Sequence, residues 1–209
     1  MFYSVHKGRE KGIYHTWDEC KLQINGFQNP IYKKFKTLED AQYFMEHGTT
    51  NMKQDIYIPK GHKIVFTDGS CRNKEGNKKA GCGIYFGKED PRNISRRLLI
   101  NPTNNRAELS AILECLQIVS KYKEPYIIIT DSKYSYDCLL KYSKKWEQTD
   151  WITIEGHAVK NRELIEPAYN ILKRNKQIGL RHVNSHTGYN DKFSIGNYEA
   201  DKLANKACI

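Results

Sequence analysis

Four carboxylates stand where a fold could gather them. Ile64-Val65-Phe66-Thr67 is a short apolar, β-branched run that ends in Asp68, and Gly69 and Ser70 then break the pattern. Tyr126–Thr130 repeats this design and is closed by Asp131 and Ser132. Between them, Thr103-Asn104-Asn105-Arg106-Ala107-Glu108 opens a strongly periodic helix with a Glu in its first turns. Near the C-terminus, Glu199-Ala200-Asp201-Lys202-Leu203-Ala204 opens another helix that carries an Asp. In an α/β sheet, acids at strand ends are metal-ligand or acid–base candidates. Carboxylates suit a hard cation such as Mg²⁺ better than His or Cys would. Paired divalent ions serve phosphodiester hydrolysis, which needs an activated water, an in-line geometry and neutralisation of the leaving oxygen. Taken singly, each acid is as well read as a helix cap or a solvated charge; only the set points to chemistry.

The elements that must position these acids follow from the pattern. Gly81–Phe86 and Ser95–Ile100 read as two more strands, which with Ile64–Thr67 make an antiparallel meander. The helix from Asn104 to Tyr122 is a crossover, so the strand at Tyr126–Thr130 runs parallel to its neighbour. A helix follows from Ser132, another from Asn161, and Gly179–Val183 is the last strand, delivering a loop that contains His186.

Residues 1–47 read as a separate β-β-α-β-α unit. Phe2–His6, Ile13–His15 and Ile31–Phe35 are strands; Thr16 with Glu19 three residues on is a capping box; Thr37 caps a second helix that ends at Gly48. Its aromatics Tyr3, Trp17 and Tyr32 are interleaved with Lys7, Arg9, Lys11, Lys33 and Lys34, and residues 1–36 hold seven Lys or Arg against three acids. Rings that stack on sugars or bases, beside cations that meet phosphates, fit a nucleic-acid strand. A core role for Trp17 and Tyr32 is the plain alternative. Residues 48–60 form a linker that spans at most about 45 Å if fully extended, unless Ile56-Tyr57-Ile58 docks on a domain. Lys141-Tyr142-Ser143-Lys144-Lys145-Trp146 repeats the lysine–aromatic mixture, and an ordinary amphipathic helix is again the alternative.

The 209-residue chain is ordinary in hydrophobic (39%) and charged (28%) content, but its formal net charge of +10 favours a polyanionic partner. No apolar run approaches the roughly 18 residues of a membrane span. No signal or transit peptide is visible, and six scattered cysteines without a Cys-x-x-Cys pair argue for reduced thiols in an intracellular protein rather than zinc or a disulfide framework.

Thr67-Asp68-Gly69-Ser70, Thr103–Glu108, Thr130-Asp131-Ser132 and Glu199–Ala204, with Ser185-His186-Thr187-Gly188 before the last, resemble together the catalytic quartet of type 1 ribonucleases H. Met1–Arg9, Thr16–Cys20 and Tyr32–Phe35 are similar to the RNA/DNA-hybrid-binding domain that precedes the catalytic domain in eukaryotic-type members. The resemblance implies a mixed five-stranded sheet flanked by helices over residues 61–209, after a small α/β hybrid-binding domain and the linker. It implies two Mg²⁺ ions, with Mn²⁺ able to substitute, held by Asp68, Glu108, Asp131 and Asp201, Asp68 bridging them. His186 would assist turnover without ligating metal. Trp17 and Tyr32, the latter in place of an expected Phe, would pack on the DNA strand, Lys33 and Lys34 would meet phosphates, and Tyr3 would belong to the same hybrid-binding set. Cys71, Asn73, Asn104 and Asn105 would read RNA 2′-hydroxyls. Thr103, Asn161, Lys145 and Trp146 would hold the DNA strand, with Asn101 standing where a basic residue is usual. The loop from His186 to Asp201 is longer than in the family, which suggests an inserted flap around Asp191–Ile195 hinged at Gly188 and Gly196. The expectation is a monomeric endonuclease that cuts the RNA of RNA/DNA hybrids, leaving 5′-phosphate and 3′-hydroxyl ends. Alternatives are a transposase- or resolvase-like nuclease, or a non-catalytic hybrid or R-loop binder.

Overall fold

A computed structural model describes residues 1–48, 56–74, 76–184 and 191–209. The chain divides into two compact units, Met1–Asp55 and Ile56–Ile209.

In the first unit, β1 (Phe2–Lys7) is the centre of a three-stranded antiparallel sheet between β2 (Gly12–Tyr14) and β3 (Ile31–Phe35). Helix α1 (Trp17–Ile24) starts at the capping box read from the sequence: Thr16 accepts from the Glu19 N–H, and the Glu19 carboxylate accepts from the Thr16 N–H. Helix α2 (Leu38–His47) is capped by Thr37 and ends at Gly48 in the left-handed conformation. Val5, Cys20 and Ile24 form one small core, and Ala41 and Phe44 are buried on the α2 side.

In the second unit the sheet order is β6-β5-β4-β7-β8. β4 (Lys63–Lys74), β5 (Asn77–Tyr85) and β6 (Ile94–Leu98) form the antiparallel meander. β7 (Tyr126–Thr130) and β8 (Ile178–His182) add in parallel, each reached through helical crossovers. Helices α3 (Asn104–Val119), α4 (Lys133–Asp137), α5 (Ser143–Gln148), α6 (Arg162–Arg174) and α7 (Lys192–Lys206) complete it, with a π-helical turn, Cys138–Tyr142, between α4 and α5. The two faces of β4 belong to different cores. Val65 joins Leu109, Ile112 and Leu116 of α3 with Ile165 of α6, whereas Phe66 joins Ile127, Ile129 and Ala200 of α7. Ile56 and Ile58 pack against that second core, so the C-terminal part of the expected linker docks on the second unit; residues 49–55 lie outside those described. Among the described residues no helix is long and apolar enough to cross a membrane.

The C-terminal helix corrects the sequence reading. It begins nine residues before Asp201, so Asp201 sits within it rather than at its start. The expected flap at Asp191–Ile195 is instead the N-cap and first turn of this helix. Asp191 accepts from the N–H groups of Phe193 and Ser194, satisfying orphan donors. Gly196 is no hinge either: it is buried in the helix, where an added Cβ would lie 2.2 Å from the Phe66 ring. The missing side chain lets α7 approach the sheet at that point.

Candidate active site

Alternation along β4 sorts its residues between two helices. Asp68, Ser70 and Arg72 face α7, where Ser70 and Arg72 reach Asn205. Gly69 and Cys71 face α3, where the Cys71 thiol points at the Pro102 carbonyl. Thr103 caps α3 through the Arg106 N–H. Its first turns then carry Glu108 over Gly69, and a Cβ there would lie 2.1 Å from the Glu108 nitrogen. Parallel pairing of Thr67 with Thr130 sets Asp68 beside Asp131; Asp131 follows the end of β7, but Asp68 lies in mid-strand, because β4 does not stop there as the sequence suggests and runs on, paired with β5, to Lys74.

The outcome is a cleft of about 430 Å³ lined by Asp68, Gly69, Ser70, Asn104, Asn105, Glu108, Asp131, Ser132, Lys133, Tyr134 and Asp201. Ligand oxygens of Asp68, Glu108 and Asp131 lie within 4.8 Å of one another. Asp201 borders the same cleft, outside that group of three but near enough for its charge to act on Asp68. Asp68 and Glu108 are only 6% and 5% exposed. Burial first, and then the charges of Asp131 and Asp201, push the Asp68 carboxyl up to about 8. Burial, followed by the charges of Asp68 and Asp131, pushes Glu108 well above the usual carboxylate range. One buried oxygen of Glu108, Oε2, has no hydrogen-bond partner. Crowded, desolvated acids with an unsatisfied oxygen fit a site for hard divalent cations, which would neutralise them.

Sequence reading missed the residues that orient these acids. Asn197 Nδ2 donates to Asp131 Oδ2 at 2.9 Å, and Asn205 Nδ2 donates to Asp201 Oδ1 at 2.7 Å. Both asparagines lie four residues from Asp201 on α7, one turn before and one turn after; a helix started at Asp191 would have shown that spacing. The half-buried His182 ring donates from Nε2 to the Asp131 carbonyl at 3.2 Å, and burial holds its pKa below the ordinary value.

Of the expected nucleic-acid contacts, Asn104 and Asn105 line the cleft, while Asn73 is exposed farther along β4 and does not. Thr103 and Asn161 are tied through Arg106, whose backbone N–H reaches Thr103 and whose guanidinium reaches Asn161 at 3.3 Å and pairs with Glu163. Asn161 is buried with φ of 62°, and its amide donates to the Tyr134 hydroxyl. Lys145 and Trp146 border an apolar groove completed by Tyr142, Thr149, Ile152, Thr153 and Ile154. Trp151, in contrast, is buried in the core. His186 lies outside the described residues.

In the first unit, Tyr3, Trp17 and Tyr32 form a ring array with centroids 5.8 and 6.0 Å apart. Trp17 and Tyr32 are each 42% exposed, which excludes the core reading. Lys34 Nζ lies 5.2 Å from the Tyr3 ring centroid, whereas Lys33, one residue away on the strand, takes the opposite face.

The profile of the family described as RNase H matches residues 60–209, and that described as the ribonuclease H1 N-terminal domain matches residues 1–45. The chain belongs to the ribonuclease H family. Ribonuclease H of Schizosaccharomyces pombe is 31% identical over 262 aligned positions that cover 98% of this chain and 96% of that protein. Human ribonuclease H1 is 27% identical, over 98% of this chain and 88% of its own. The ribonuclease H domain of a foamy virus shares the fold: TM-score 0.58 and 24% identity, over 69% of this chain and 93% of that one. The protein is therefore a ribonuclease H enzyme of a metal-dependent family, with the acidic cluster such an enzyme requires.

Proposed function

We propose that the protein hydrolyses the RNA strand of RNA/DNA hybrids, using two divalent cations held by Asp68, Glu108, Asp131 and Asp201. The observation that carries this reading is the convergence of Asp68, Glu108 and Asp131 within 4.8 Å in a cleft that Asp201 also lines. Asp68 is central to the set and would serve both ions, Asp201 one of them, and Glu108 with Asp131 the other. Bound Mg²⁺, or Mn²⁺ in its place, supplies the charge that activates a water and neutralises the leaving 3′-oxygen. The protein's own part is positional. Asn197 and His182 fix Asp131, and Gly69 admits Glu108. Asn104 and Asn105 line the cleft where a ribose 2′-hydroxyl, at once donor and acceptor, would distinguish RNA. Cys71 and Asn73 continue that face of β4. The other strand would lie along the Tyr142–Ile154 groove, with Thr103 and Asn161 at a phosphate. The ring array of the first unit would add affinity by stacking, with Lys33 and Lys34 at phosphates. We assign His186 to proton movement near the attacking water or the departing 5′-phosphate.

The domain scheme is a hybrid-binding domain at 1–47, a linker at 48–60 and a catalytic domain at 61–209. The test is cleavage of hybrids end-labelled on either strand, with Mg²⁺ or EDTA. Expected are cuts in the RNA strand alone, metal-dependent, with 5′-phosphate and 3′-hydroxyl ends. Equal cutting of the DNA strand, or binding without cleavage, would overturn the reading.

A further inference from the structure

Asn205 sits one helical turn beyond Asp201, and its amide is held at both ends. Nδ2 donates to Asp201 Oδ1 at 2.7 Å, while Oδ1 accepts from Ser70 Oγ at 2.8 Å and from the Arg72 guanidinium at 3.0 Å. Ser70 and Arg72 follow Asp68 on the same face of β4, so a single strand face supplies both the acid and the donors that set the amide. The orientation of that amide is forced. Turning it over would put its N–H₂ against the guanidinium and its carbonyl against the Asp201 carboxylate, replacing two attractions by two repulsions. Asp201 therefore has one oxygen occupied by a fixed N–H, while it lines the same cleft as Asp68.

We propose that Asn205 is a positioning residue that sets the Asp201 carboxylate for cation binding, and that Ser70 and Arg72 lock the Asn205 amide for this task. The proposal rests on Asp201 holding a cation, as proposed above. Groups of this kind orient ligands without touching the ion, and their removal typically lowers metal affinity or activity by about 10- to 100-fold. Arg72 is exposed, so it can be changed at little structural cost.

The test is calorimetric titration of Mn²⁺ into the metal-free full chain, alongside the Mg²⁺ concentration for half-maximal cleavage and the KM for hybrid. Asn205→Ala is expected to weaken Mn²⁺ binding about 10-fold and to raise the Mg²⁺ requirement by a similar factor, with KM unchanged. Arg72→Leu should shift both in the same direction by a smaller factor, and should add nothing in the Asn205→Ala background. Should Asn205→Ala fail to fold, Arg72→Leu and Ser70→Ala carry the test. If Asp201→Asn weakens Mn²⁺ binding while the Asn205, Arg72 and Ser70 variants leave it unchanged, the positioning role is wrong. If Asp201→Asn itself leaves Mn²⁺ binding and cleavage intact, Asp201 is no ligand and the underlying reading fails.

Discussion

Gly69 and Glu108 are in closer contact than any other side chain at position 69 would allow: an added Cβ would lie 2.1 Å from the Glu108 nitrogen and 2.5 Å from the Ala107 carbonyl carbon. Backbone cannot yield as a flexible side-chain tip could, so α3 must move if position 69 gains a methyl group. Gly69→Ala should cost about 1–3 kcal/mol, the usual range for overpacking. Because α3 carries Glu108, it should also lower kcat by more than tenfold. Thermal melting with steady-state cleavage checks both; a stable, fully active variant would show that the close approach is dispensable.

The acids predict an unusual response of the metal-free protein to pH. Folded Asp68 keeps its proton up to about 8, whereas its ordinary value is 3.8, and Glu108 is raised in the same sense. Between these limits the folded state binds more protons than the unfolded one, so stability falls as pH rises. Asp68→Asn should flatten this fall and raise the metal-free melting temperature at pH 7, at about 2–4 °C per kcal/mol for a chain of this size. Bound cations replace those protons, so the rise in melting temperature given by Mg²⁺ over EDTA should grow from pH 5 to pH 8. Melting curves across that range decide it.

In the first unit, the ring array predicts a loss of affinity without a loss of fold. Trp17→Ala should weaken hybrid binding by roughly 1–3 kcal/mol, as for one lost stacking contact. The ring is half-buried at the surface, so melting should change little. Titration at two salt concentrations separates stacking from the phosphate contribution, which salt should weaken in both proteins.

At the groove beside Trp146, Ile154 is 86% exposed. Ile154→Asp should therefore leave stability near wild type, yet place a negative charge where a phosphate backbone would run. KM for hybrid should rise about tenfold, roughly one lost contact of 1–3 kcal/mol, with kcat retained. Unchanged KM would remove this groove from the DNA path.

Much of this architecture was legible because local signals agreed with it. Apolar runs closed by Thr-Asp matched β7 and the first half of β4, whose continuation through Gly69 and Ser70 to Lys74 rests on pairing with β5 that no local signal shows; Thr103 and Thr37 marked two helix starts, and the Thr16–Glu19 capping box a third. The start of α7 was misread because Gly188 and Gly196 suggested a hinged loop. Gly196 is there for contact with Phe66, a tertiary reason that one-dimensional pattern cannot show. The same error hid Asn197, which lies before a helix begun at Glu199; Asn205, four residues after Asp201, was already on its face in that reading and was overlooked. Ile152 and Ile154 were missed for another reason: their groove is made by the end of the π-helical turn, α5 and the following loop, not by any repeat in the sequence.

In the proposed mechanism these carboxylates hold cations for hydrolysis while other surfaces hold the hybrid. The most direct measurement is binding and cleavage of one labelled hybrid by Asp68→Asn, purified free of host nuclease, at saturating Mg²⁺. Expected are hybrid affinity within a few-fold of wild type and no detectable cleavage. Substantial Mg²⁺-dependent cleavage by Asp68→Asn would contradict that mechanism.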